Sequence, residues 1–163
     1  MQVTDTKSEI TRRLSVLIGL DVSAVSHAAD MLTMHFGPQR QYVTPRGTVL
    51  EGGTWALHVQ CSWRLTRAGV VVATQAVLAG SDDAAHFGSS WLDTLLVKEG
   101  AVIVKGISAT KSGGLQLAMS NGFCLEVVSD TVPDEEDWRL FELRSDAKHF
   151  VIEGGKIDPW SLS

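Results

Sequence analysis

The chain has 163 residues, 44% of them hydrophobic and 20% charged, and carries a net charge of −5 at pH 7. That length and balance fit one globular domain with enough chain to bury a core. They argue against a protein that grips nucleic acid through a basic face, and no apolar run approaches the ~18 residues of a membrane-spanning helix.

The N-terminus, Met1-Gln-Val-Thr-Asp-Thr-Lys-Ser-Glu9, is polar and acidic, which is not the pattern of a secretory signal. Thr6-Lys-Ser-Glu9 has the form of a capping box and opens a short helix. Its apolar stripe is Ile10, Leu14, Leu17 and Ile18, and Gly19 ends it. Residues 22–26 and 31–36 read as short strands joined by a turn. Residues 37–53, with Pro38 and Pro45, read as a long connection carrying a brief strand at 41–43.

Residues 55–65 are the strongest pattern in the chain. Trp55, Leu57, Val59, Cys61, Trp63 and Leu65 alternate with Ala56, His58, Gln60, Ser62 and Arg64. The spacing predicts one long strand with a buried face and a polar face. Arg67-Ala-Gly69 then reads as a three-residue loop with a bulge, followed by a β-branched strand over 70–79. That register sets Trp63 opposite Ala73, Val59 opposite Val77 and Ser62 opposite Thr74.

Residues 80–86 read as a turn. A second helix is expected to begin at Ser90-Trp-Leu-Asp93, to bury Trp91, Leu92, Leu95 and Leu96, and to stop at Gly100. A strand over 101–108 follows, then an amphipathic hairpin around Ser120-Asn-Gly122. A two-residue turn there would set Glu126 opposite Leu117 on the apolar face. A three-residue loop pairs Met119 with Phe123 and Leu117 with Leu125, and the buried face selects it. Residues 130–137 form an acidic loop, 138–143 and 149–153 a last hairpin, and Trp160 is expected to fold back onto the body.

The same order of parts occurs twice. Each half has a capped helix ending at glycine, a strand, a hairpin, and a Trp-Arg-Leu triplet, Trp63-Arg64-Leu65 and Trp138-Arg139-Leu140. This predicts an α+β fold of mostly antiparallel β-sheet with two short helices. It would be a single domain, 1–163, made of two repeats, 6–83 and 88–160, related by a pseudo-twofold. Arg64 and Arg139 fall at equivalent places beside tryptophans. They read either as anion contacts at a central groove or as stems packed on neighbouring rings, and packing is the reading adopted.

Leu57-His-Val-Gln-Cys-Ser-Trp-Arg-Leu65, Gly80-Ser-Asp82, Gly114-Leu-Gln-Leu117, Asn121-Gly122, Glu136-Asp-Trp-Arg-Leu140 and His149-Phe-Val151 carry a resemblance. The chain resembles a group of uncharacterised bacterial proteins, common in actinobacteria and grouped as a domain of unknown function. The resemblance implies a bacterial cytoplasmic origin and brings no activity or catalytic residue with it.

Catalytic signals are absent from the sequence. Cys61 and His58 point to opposite faces of their strand, which separates a Cys–His dyad, and no serine lies in a Gly-x-Ser-x-Gly elbow. Gly52-Gly53 and Gly113-Gly114 lack the lysine of a phosphate loop. His35, His58, His86, Asp82 and Asp83 have no diagnostic metal spacing, and Cys61 and Cys124 read as reduced, buried thiols of a cytoplasmic protein. No catalytic residue, metal or cofactor is assigned.

The polar row His58, Gln60, Ser62 and Arg64, with Asp82 near one end, is the candidate ligand-binding surface. The expected function is a non-catalytic binding or protein-interaction module, by analogy with bacterial immunity proteins, acting on a protein partner or as a homodimer. The competing reading is a small-molecule or metal-dependent enzyme using His58, Arg64 and Asp82.

Overall fold

The computed structural model describes residues 5–162, apart from the side chains of Arg40, Tyr42 and Glu51. The fold is α+β and mostly antiparallel sheet, as the alternating patterns require. One helix, α1 (Thr6–Leu14), leads into β1 (Val22–Ala28), β2 (Met31–Phe36), a hairpin of β3 (Arg40–Val43) and β4 (Val49–Gly52), and β5 (Trp55–Val59). Then follow β6 (Ser62–Arg67), β7 (Val70–Thr74) and a second helix, α2 (Asp82–Asp93). The chain ends with β8 (Val104–Ala109), β9 (Leu115–Met119), β10 (Phe123–Val128), β11 (Glu136–Glu142), β12 (Phe150–Glu153) and β13 (Lys156–Ile157).

Six strands form one antiparallel sheet in the order β1-β2-β5-β11-β12-β13, and five form another in the order β7-β6-β10-β9-β8. Their inner faces and the two helices share one apolar core. Leu57, Val59, Trp138, Leu140 and Ile152 enter it from the first sheet, and Trp63, Leu65, Leu117 and Leu125 from the second.

The expected single strand over 55–65 is two strands in different sheets. The chain turns a corner at Gln60-Cys61, and both of these backbone N–H groups donate to the carbonyl of Asp137, at 2.8 and 3.1 Å. Alternation survives the corner, because Leu57, Val59, Cys61, Trp63 and Leu65 are all buried. A strand that switches sheets this way keeps one face on the core while changing hydrogen-bond partners.

Asp137 locks the corner. It sits in a bulge of β11 between Glu136 and Trp138 and is 2% exposed. Its carboxylate accepts from Ser129 Oγ at 2.7 Å, Asp130 N at 3.2 Å and Gly155 N at 2.8 Å. The segment read as an acidic loop thus ends in a buried anion with three donors, the condition under which burying a charge is tolerable.

Several local expectations need correction. Thr6 is the first helical residue rather than the cap; Asp5 holds that place and its carboxylate accepts from Ser8 Oγ at 2.6 Å. Ile10, Leu14 and Leu17 are buried but Ile18 is 48% exposed. The hairpin loop after β6 has two residues, Ala68 and Gly69, both at positive φ, which is the type I′ geometry that matches strand twist. The bulge lies instead between Leu65 and Thr66, so Leu65, not Trp63, faces Ala73. Residues 75–78 are a 3₁₀ turn, not a strand. The brief strand expected at 41–43 is β3, and what the sequence did not show is its partner β4, which makes a hairpin within the connection.

The second helix starts eight residues before its expected cap, with Ser81 Oγ accepting from Ala84 N at 3.1 Å. Its first turns bury Ala85, Gly88 and Ser89, small residues that make no apolar stripe. A Cβ at Gly88 would lie 2.2 Å from the Val77 carbonyl, so closeness of approach selected these residues. Trp91, expected inside, is 40% exposed, and Trp160, 71% exposed, meets the body at Lys148, whose Nζ lies 4.0 Å from the centre of its ring. The three-residue register of β9 and β10 holds, with Leu117 opposite Leu125.

Candidate functional site

The outer face of the six-stranded sheet gathers most of the distinctive polar chemistry. Strand pairing sets His58 of β5 between Thr33 of β2 and Arg139 of β11. Two pairs along, Ala56 lies between His35 and Phe141. Because side chains alternate, Arg139 and Phe141 share the outward face while Trp138 and Leu140 fill the core.

These groups are tied to one another. The Arg139 guanidinium forms a two-point ion pair with Glu136, one bond being Nε to Oε2 at 2.9 Å. Gln60 Nε2 donates to the same Glu136 oxygen at 2.9 Å. Arg139 Nη1 donates to His149 Nδ1 at 2.9 Å, which makes that nitrogen the acceptor and leaves the proton on Nε2. The His149 ring stacks on Phe141, with centroids 4.0 Å apart and planes 10° apart. Phe141 in turn meets His58 edge-on at 4.9 Å.

His35 lies under the base of the β3–β4 hairpin, where Gly53 N donates to its Nδ1 at 3.3 Å. Arg144 reaches from the β11–β12 loop to the carbonyl of Gln41, holding the hairpin against this face. Burial lowers the pKa of His35, and burial followed by the His35 and Arg139 charges lowers that of His58. Burial and then Arg139 lower that of His149. All three rings are therefore neutral near pH 7, and the Arg139–Glu136 pair cancels. The face is a stacked, hydrogen-bonded array with little net charge.

The five residues marked from the sequence separate into three places. His58 and Gln60 belong to the array just described. Ser62 and Arg64 lie across the corner in the five-stranded sheet, where Ser62 Oγ donates to Asp130 at 2.7 Å and Arg64 pairs with Glu126. Asp82 opens α2 and lines a shallow recess with Ala29, Asp30 and Leu78. His86 on α2 faces His27, with ring centroids 6.2 Å apart, rather than His35 or His58. Among the described residues no three His, Cys, Asp or Glu side chains are placed to hold a metal ion.

Cys61 faces the core at 2% exposure, and burial, then the nearby Asp137 and Asp130 charges, push its pKa up to about 12. A thiol in that state is not a nucleophile at neutral pH. Glu136, Phe141 and His149 were invisible as site residues, because the pairing of β11 with β5 that brings them to His58 is long-range. Among the described residues no helix is long and apolar enough to cross a membrane. Comparisons with protein-family models, with curated proteins and with solved structures find no match.

Proposed function

We propose that this chain is a non-catalytic binding or protein-interaction module of bacterial, cytoplasmic origin, and that it contacts its partner through the outer face of the six-stranded sheet. The observation that carries this reading is the continuous chain of contacts Gln60–Glu136–Arg139–His149–Phe141–His58. Its side chains are already held by one another, so a partner docking there orders few new rotamers, and the cost of association falls accordingly. Arginine and aromatic groups are also those that concentrate at protein interfaces.

A second copy of the chain or an immunity-type target fits this chemistry, and the face favours stacking and hydrogen bonds over charge steering. The test is capture of interacting proteins by the immobilised chain, compared with Arg139→Ala and Gln60→Ala, with sedimentation to read self-association. A partner or a dimer held by the wild type and released by these variants supports the reading. Binding indifferent to both variants sinks it, and so does turnover of a small molecule that depends on His58.

A further inference from the structure

We propose that a cleft at one end of the six-stranded sheet binds a small planar molecule bearing one anionic group, such as an aromatic phosphate monoester or carboxylate. The cleft opens between α1, the end of β5 and the β11–β12 loop, and has a volume of about 240 Å³. Ligand pockets for drug-sized molecules run from ~300 Å³ upward, so this one suits a single ring with one substituent.

Its walls are aromatic and its α1 side is cationic. Trp55 and Phe150 line it, with Arg12, Arg13 and Lys148 around the mouth. Phe150 is 3% exposed and forms a fixed wall, and the Arg13 guanidinium lies 5.4 Å from the centre of its ring. A guanidinium over a ring in this way can still donate from its edge N–H groups. Glu9 organises the two arginines from behind, at 2.5 Å from Arg12 and 3.0 Å from Arg13. Arg13 commits only its Nε to that pair among the described residues.

In a chain with net charge −5, Arg12, Arg13 and Lys148 here outnumber the carboxylates of Glu9 and Glu142, leaving a local excess of positive charge. Glu142 lines the same cleft and adds a negative charge at the strand end, so the ligand's single anionic group belongs on the helix side. The ring would lie against Trp55, and the anion would meet Arg13 and Arg12. This proposal does not depend on the reading of the histidine face.

The test uses the full chain, labelled with nitrogen-15, and phenyl phosphate as the probe. Trp55 is one of five tryptophans, and Trp55→Phe identifies its indole resonance. Phenyl phosphate should shift that resonance saturably, with phenol and inorganic phosphate each binding about tenfold more weakly or worse. Arg13→Gln should weaken binding by about tenfold. Arg12→Gln, at a side chain 65% exposed, serves the same purpose should Arg13→Gln disturb the fold. An unmoved Trp55 resonance overturns the proposal. So does phenol binding as tightly as phenyl phosphate, or undiminished affinity in both charge variants.

Discussion

Trp63-Arg64-Leu65 in β6 and Trp138-Arg139-Leu140 in β11 are the same three residues set in different sheets. In both, the tryptophan and leucine enter the core and the arginine points out. Their surroundings then diverge. The Trp138 ring is wholly buried and its indole N–H donates to the Gly113 carbonyl at 2.8 Å. The Trp63 indole N–H is buried with no partner among the described residues, beside a small gap lined by Met34, Leu92 and Leu96. Period-two alternation decides which side a residue faces, and it says nothing about what waits there.

What waits for Trp138 is a purpose-shaped turn. Gly113 has φ +86°, and a Cβ on it would lie 2.8 Å from the Gly155 carbonyl. The two loops can touch only because both positions are glycine, and that contact presents the carbonyl to Trp138. Trp138→Phe should therefore cost about 3 kcal/mol, by opening a cavity and orphaning a buried carbonyl. Trp63→Phe should cost about 1 kcal/mol or less, since the cavity is offset by removal of an unpaired donor. Urea midpoints of the two variants measure the difference. Equal losses would mean that the indole hydrogen bond contributes nothing and that the two sites are energetically alike.

The same contrast explains how far the sequence could be read. Alternation revealed the inward set from Leu57 to Leu65 and the register of β9 against β10, because burial enforces both. It did not reveal the corner at Gln60-Cys61, since the inward set runs through it unbroken, and what bends the chain is the distant carbonyl of Asp137. The start of α2 was hidden for a different reason. Its packing face is Ala85, Gly88 and Ser89, chosen for closeness to Val77 rather than for apolar area. The candidate site was half legible: His58 and Gln60 stand out on β5, while Glu136, Phe141 and His149 join them only through pairing of strands far apart in the chain.

The two arginines should differ less than the tryptophans, but in the same direction. Arg64 is 56% exposed at its side chain and pairs with Glu126 on an open sheet face. Such pairs contribute little after screening and side-chain entropy, so Arg64→Ala should change stability by about 0.5 kcal/mol at most. Arg139 is 33% exposed and holds both Glu136 and His149. Arg139→Ala should cost about 1–2 kcal/mol, because it strips a donor from two half-buried acceptors at once. Loss of its positive charge should also let the His149 pKa rise, which an NMR titration reads directly. If both alanine variants behave alike, the network around Arg139 is no more than a surface ion pair.

The smallest effect is a pH dependence confined to the six-stranded sheet. His35, His58 and His149 all have pKa values lowered from an ordinary 6.5, whereas the strands of the other sheet contain no histidine. Above the ordinary value these rings are neutral in folded and unfolded chains alike, and they leave stability untouched. As pH falls through it, the unfolded chain binds protons that the folded chain refuses, so stability must decline until the lowered folded values are passed. Asp5 and Glu9 also have lowered pKa values, but from ordinary values of 3.8 and 4.5, so their loss comes at more acid pH. Denaturation at about pH 7.5 and about pH 5.5 therefore isolates the histidines. The wild type should be less stable at the lower pH, and a His58→Gln, His149→Gln double variant should show a smaller difference. A stability that holds or rises on acidification would mean that the rings are solvated well enough to accept protons in the folded state. In that case the face would become cationic where it is now neutral, and the proposed partner contact would gain a charge component.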